Sequence, residues 1–227
     1  LAATFTLFIY LLGHLHSTIT PTLDSVPVGR YIRSMNSKER MIEAMSDLMW
    51  EQGFAATTPR EVRERSGVGQ GSMYHHFPTK RDLGMAAIES ITSDLMDRSV
   101  ALLEAAGDPL DRLNNYLSAP REPLKGCKAG RLTQDPVVAR DPEMLAPVAR
   151  VFDRITEAAT NTVQEAIDRH QLKPDLDAAS WARLIVTTLQ GGYVLAIAAQ
   201  DRAPYDEAFA ALRRLVQLST TSEEHSK

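Results

Sequence analysis

A single cysteine, Cys127, is all the thiol chemistry this chain carries in 227 residues. That excludes an intramolecular disulfide and any zinc site built from several cysteines, and it points to a reducing compartment. Aromatic residues are scarce, at 6 %. There is no glycine-rich phosphate loop, no His-x-x-x-His or His-Glu-x-x-His pair and no Gly-x-Ser-x-Gly elbow. The sequence signatures of many nucleotide-, zinc- and serine-dependent enzymes are therefore missing, and no enzyme activity, metal or cofactor is expected. The longest uncharged stretch late in the chain, Leu184–Ala199, is interrupted by Gln190 and falls short of the roughly 20 residues a bilayer span needs. No membrane association is expected, and a cytoplasmic location follows.

What is present is helix-forming. Ala, Leu, Arg and Glu dominate long stretches, and these are strong helix formers. The expected fold class is all-α. The net charge of −4 argues against a uniformly basic nucleic-acid binder, yet distribution matters more than the sum. Between Gly53 and Arg81 stand Arg60, Arg63, Arg65, Lys80 and Arg81 against Glu61 and Glu64. From Asp82 onward acidic residues predominate, so a small basic face is expected on an acidic body.

Residues 1–35 read differently. Ala2–Leu12 is apolar but broken by Thr4 and Thr6, and Ser, Thr and Pro dominate up to Pro27. The stretch is too short for a membrane span and lacks the basic start of a secretory signal. It is expected to be a non-native or disordered extension, with Met35 as the natural first residue. A membrane anchor and a flexible arm carrying Arg30 and Arg33 to DNA are the other readings.

The rest is punctuated as nine helices. Asn36 and Glu39 have capping-box spacing before an amphipathic run, which Gly53 ends. Thr58-Pro59-Arg60-Glu61 starts a second helix, with Pro at its first position. Ser66-Gly67 stops it after about two turns. A third helix runs from Gln70 to His76, and Pro78-Thr79-Lys80 caps a fourth reaching about Ala106. Helices over 109–117 and 126–139 come next, then one capped by Asp141 and ending near His170. Asp177 caps an eighth to about Asp201, and a ninth covers 205–218. The tail 219–227 is expected to be disordered. The domain reading is 36–83 for a helix-turn-helix unit and 84–218 for the rest.

In the third helix, Met73 and Phe77 are four apart and apolar, so they face a core. Gln70, Tyr74 and His75 then point away. Gly71 lets backbone approach a phosphate or base edge. Gln70 suits bidentate pairing with adenine or contact with other base edges. Ser72, Tyr74, His75, Lys80, Thr57 and Thr58 suit phosphate oxygens. The plainer alternative is that Tyr74, His75 and His76 only pack or cap. Adjacent histidines on a helix diverge by about 100°, so they make a poor metal site.

Gly53-Phe54, Thr57-Thr58, the Gly67-Val68 turn, Gly71-Ser72-Met73-Tyr74-His75-His76-Phe77 and Lys80-Arg81-Asp82-Leu83 together resemble the DNA-binding domain of TetR/AcrR-family transcriptional regulators. The likeness spans Asn36–Leu83. It implies a homodimer, usually a repressor, that leaves a palindromic operator on double-stranded DNA when a small molecule binds the C-terminal domain. Base contact then falls on Gln70 and its neighbours, and phosphate contact on Thr58, Tyr74, His75 and Lys80. Arg63-Glu64-Arg65-Ser66 departs from the small, alanine-rich end common in that family's second helix, and its arginines have no assigned target.

The last two helices make an apolar hairpin that a symmetry mate would cover, giving a four-helix dimer bundle. Candidate effector contacts are Phe152, Trp181 and Tyr193, each of which also reads as plain core. Gly126-Cys127-Lys128-Ala129-Gly130-Arg131-Leu132 is similar to a Gly-Cys-x-x-Gly-x-Leu element of one subgroup, in which some members respond to quinones, flavonoids, drugs or electrophiles. Cys127 is therefore a further candidate, either as an effector contact or as a redox sensor; its plain alternative is a small residue in a tight helix entry. Asp135 stands where that subgroup has Glu. A ligand-independent architectural DNA binder is the remaining alternative.

Overall fold

A computed structural model describes residues 35–221. The expectations for residues 1–34, and for the end of the tail beyond Thr221, lie outside the described residues.

Nine α-helices and one 3-10 turn make up the described chain, with no strand of sheet among the described residues. The first, α1 (Ser37–Gln52), opens on the expected capping box: Asn36 Oδ1 accepts the Glu39 N–H at 3.0 Å and Glu39 returns the bond to Asn36 N–H at 2.9 Å. Gly53 closes it at φ 88, where its N–H reaches Met49 O. The short α2 (Pro59–Ser66) is boxed by Thr58 and Glu61 and ended by left-handed Gly67. Next come α3 (Gln70–His76) and α4 (Lys80–Leu103), the latter boxed by Thr79 and Asp82. Met41, Met45, Met49, Val62, Met73 and Phe77 bury the inner faces of α1 to α3. α4 runs straight through the expected junction at Leu83.

Asp108 caps α5 (Pro109–Ser118). The helix expected over 126–139 is not continuous. It is a five-residue α6 (Lys128–Leu132), then a turn, then a 3-10 turn at Val138–Arg140. The physical reason is Asp135-Pro136. Proline disfavours helical backbone at the residue before it, and Asp135 Oδ1 accepts the Val137 and Val138 N–H groups, starting a new turn. The long α7 (Pro142–Asp168) is the central helix, packed against α4, α5 and α8 (Ala178–Ala199). α9 (Ala203–Leu218) folds back on α8. The tail differs from expectation at its first residues. Lys173 N–H donates to Ser219 O at 3.0 Å and Thr221 N–H to Gln171 O at 3.0 Å, so residues 219–221 are pinned to the α7–α8 loop.

α8 is long and apolar enough to cross a membrane by length and composition, with a mean hydropathy of 1.4. It packs instead on α7 and α9. Its outward face carries Leu184, Val194 and Leu195, and α9 adds Leu215 and Leu218, all exposed.

Candidate functional site

The outward face of α3 is built by what its inward face buries. Met73 and Phe77 anchor it, leaving Gln70, Gly71, Tyr74 and His75 exposed and Ser72 half-buried. Tyr74 is 47 % exposed, so its ring is open to a partner. Thr58 lies at the start of α2, its hydroxyl bonded to Glu61 Oε2 at 2.7 Å. Those Thr58 bonds hold the Glu61 carboxyl below the usual carboxylate range.

Two expected contacts change. Thr57 is only 1 % exposed and its hydroxyl donates to Gly53 O at 2.7 Å. It is a structural pin, not a phosphate ligand. Lys80 is half-buried: its Nζ donates to Ala55 O at 3.3 Å and sits 4.4 Å from the Phe54 ring. Burial lowers its pKa, with Asp135 and Glu61 pulling the other way.

The basic face is also less basic than its local count. Arg60 pairs with Glu64 at 2.7 Å, Arg65 with Glu51 at 2.8 Å, and Arg81 with Asp141 and Glu143 at 2.8 and 2.6 Å. Arg63 has no carboxylate partner among the described residues; its Nη1 donates to Gln70 Oε1 at 3.2 Å. One cation escaped the sequence reading. Lys38 of α1 is exposed and lies 6.0 Å from the Phe77 ring, at the end of α3. It stands outside the 53–81 stretch, so only the fold brings it near.

A second feature joins this end of the molecule to the helical body. The segment from Lys125 to Glu143 touches it repeatedly. Trp50 Nε1 donates to Gly126 O at 3.1 Å, and Lys128 Nζ pairs with Asp47 at 3.0 Å. Lys125 and Lys128 both lie over the Trp50 ring. The buried Asp135 carboxylate accepts the Ala55 N–H at 2.9 Å. A Cβ at Gly53 would meet Asp135 Oδ2 at 2.9 Å, so only glycine allows this approach.

The same segment forms one wall of a cavity of about 330 Å³. Gly126, Cys127, Gly130, Arg131, Thr133 and Gln134 line that wall. Phe152 of α7 and Gln190, Tyr193, Val194 and Ile197 of α8 supply the rest. A Cβ at Gly130 would fall 2.4 Å from Gln190 Oε1, so the glycine makes room for that carboxamide. Cys127 Sγ accepts the Gly130 N–H at 3.3 Å. Burial pushes the Tyr193 phenol well up, so it stays neutral. Cys127, Phe152 and Tyr193 all line this one cavity. Trp181 is not on the wall. It precedes Tyr193 by three turns of α8, about 18 Å along the axis, and packs on the core there.

Two family models match this architecture. "Bacterial regulatory proteins, tetR family" covers residues 37–87, and "Tetracyclin repressor-like, C-terminal domain" covers residues 109–212. The chain belongs to the TetR family. The first match covers α1 to α3 and the start of α4, and the second runs from α5 into α9. This TetR-family chain is 23 % identical to the HTH-type transcriptional repressor DhaR of Mycobacterium sp. (strain GP1), over 75 % of its length and 87 % of that protein. It is 25 % identical to the HTH-type transcriptional repressor KstR2 of Mycobacterium tuberculosis, over 71 % and 82 %. A TetR transcriptional regulator from Chloroflexus aurantiacus J-10-FL superposes with a TM-score of 0.72 at 25 % identity, covering 84 % of this chain and 98 % of that one. It is a DNA-binding transcriptional regulator of helix-turn-helix type, with DhaR and KstR2 both repressors by name.

Within this TetR-family fold, the cavity residues that sequence reasoning missed are Thr133, Gln134, Gln190, Val194 and Ile197. Gln190 did leave a signal, as the lone carboxamide within an uncharged run.

Proposed function

We propose that this TetR-family protein is a cytoplasmic homodimeric repressor, bound to a palindromic operator through α3 and released by a small molecule in the 330 Å³ cavity. The observation that carries this reading is the double duty of residues 126–135. They line the cavity on one side and hold Asp47, Trp50 and Ala55 on the other. A ligand that favours a different placement of this segment shifts the DNA-binding end by its differential affinity for the two states.

The dimer is supported by the exposed apolar stripe of α8 and α9, with Val194 and Leu195 more than half exposed. A second copy covers that stripe as a four-helix bundle. Two copies place two α3 helices about one DNA turn apart, roughly 34–36 Å, as a palindrome requires. Gln70 and Gly71 face bases; Thr58, Ser72, Tyr74, His75 and Lys80 face the backbone, Lys80 after letting go of Ala55 O.

The test is a binding-site selection with the purified chain, followed by titration of Tyr74→Ala and Gln70→Ala. Tyr74→Ala weakens binding across all sequences and Gln70→Ala relaxes one base position. Unchanged affinity and specificity in both would remove α3 from the DNA.

A second reading is favoured by one observation: Cys127 lines the cavity. An α,β-unsaturated electrophile entering there would bond to the sulfur through its β-carbon as its C=C π bond opens, the α-carbon taking up the thiol proton, and would act as a covalent effector. Cys127→Ser separates the two. Full release by electrophiles in that variant refutes the thiol reading and leaves the reversible one standing.

A further inference from the structure

We infer that Arg63 sets which base Gln70 reads, and that the pair selects guanine where Gln70 alone would select adenine. The inference rests on the reading of α3 as the DNA-contacting helix and deepens it.

The observation is a hydrogen bond between two helices. Arg63, in the last turn of α2, donates from Nη1 to Oε1 of Gln70, the first residue of α3, at 3.2 Å. Among the described residues, Arg63 is the one arginine between Gly53 and Arg81 left without a carboxylate, since Arg60, Arg65 and Arg81 each have one. It is therefore free of the charge neutralisation that occupies its neighbours, and it sits beside the side chain that reads bases.

The bond fixes the orientation of the Gln70 amide. Turning the amide over would set its NH2 against a guanidinium N–H, two donors face to face. Only the oxygen can face Arg63, so the NH2 faces outward. A guanidinium carries five N–H donors and no acceptor, so what Arg63 adds to the outward surface is again donors. Together the two side chains present donors and a positive charge.

The major groove distinguishes the purines on this point. Adenine offers an acceptor at N7 and a donor at N6, and a free glutamine matches both with its NH2 and its oxygen. Guanine offers two acceptors, N7 and O6. A donor surface with a guanidinium in it matches guanine, and it would set a cation against the adenine N6 amino group. Removing Arg63 frees the Gln70 oxygen, and the adenine pattern becomes the better match.

The experiment is a selection of binding sites from random-sequence duplex, using the full chain and its Arg63→Ala, Arg63→Met and Gln70→Ala variants. Arg63→Met keeps the aliphatic stem, in case loss of the whole side chain unsettles α2. The native chain is expected to enrich guanine at one position in each half-site. Both Arg63 variants should move that position to adenine, by about tenfold in relative affinity, the scale of one good base contact. The other positions should be unchanged. Gln70→Ala should relax the position. A chain that enriches no sequence contradicts the operator-binding reading and this one together. A chain that enriches a palindrome with adenine at that position, or whose choice is indifferent to Arg63, overturns this inference alone.

Discussion

The Asp135 carboxylate accepts the backbone N–H of Ala55 at 2.9 Å, across 80 residues of sequence. One oxygen takes Ala55 and the other takes Val137 and Val138. A single side chain thus holds the end of the cavity wall and the approach to α2 in one arrangement. Asp135→Ala strands these N–H groups, at a cost of about 2 kcal/mol. That lowers Tm by roughly 4–8 °C for a chain of this size. Hydrogen exchange at Ala55 should quicken in the variant, and an unchanged rate there would show that the bond carries no weight.

A second link, Arg81 to Asp141 and Glu143, gives a pH dependence. The Arg81 guanidinium holds the Asp141 carboxyl below the usual carboxylate range. A depressed carboxylate contributes stability that is present above its unfolded pKa, about 4, and is lost as pH falls through the folded value. Thermal unfolding followed from neutral pH downward should therefore show this link weakening only below about pH 4. Asp141→Asn should flatten that part of the profile. A loss centred near pH 6 would assign the dependence to another group.

Gly84 of α4 is pressed against Phe54, and a Cβ there would fall 2.4 Å from the ring. Gly84→Ala overpacks a buried contact, and such changes cost about 1–3 kcal/mol. The ring also carries Lys80 on its face, so the variant should lose DNA affinity together with stability. A variant as stable as the native chain would mean that Phe54 has room to turn.

Leu195 is 56 % exposed on α8. The proposed dimer would bury it, and Leu195→Glu would put a charge into that seam. Sedimentation should show the native chain as a dimer and this variant as a monomer with far weaker operator binding. A variant that stays dimeric would move the interface off α8.

Most of the fold was legible because its helix starts are written locally. Asn36/Glu39, Thr58/Glu61, Thr79, Asp141 and Asp177 each cap the helix they announce. What failed depended on distant partners. The break after Leu132 comes from Asp135-Pro136 and the bonds of one carboxylate, which periodicity does not register. The basic face lost its free charge to Glu51, Asp141 and Glu143, all outside the local stretch. Thr57 looked like a phosphate ligand by type, and only its burial shows otherwise. Arg63 had no target in sequence because its partner is a neutral amide on the next helix.

Coupling between the cavity and the DNA-binding end is read out by compounds that occupy the cavity. Small molecules that raise the Tm of the native chain, and fail to raise that of Gln190→Ala or Phe152→Ala, bind in the cavity. Each is then titrated into the complex with the selected operator. At least some of these compounds should weaken operator binding, by about 5- to 150-fold, the usual range of coupling between two sites. The operator should weaken their binding by the same factor. Compounds that fill the cavity while operator affinity stays unchanged would contradict that coupling.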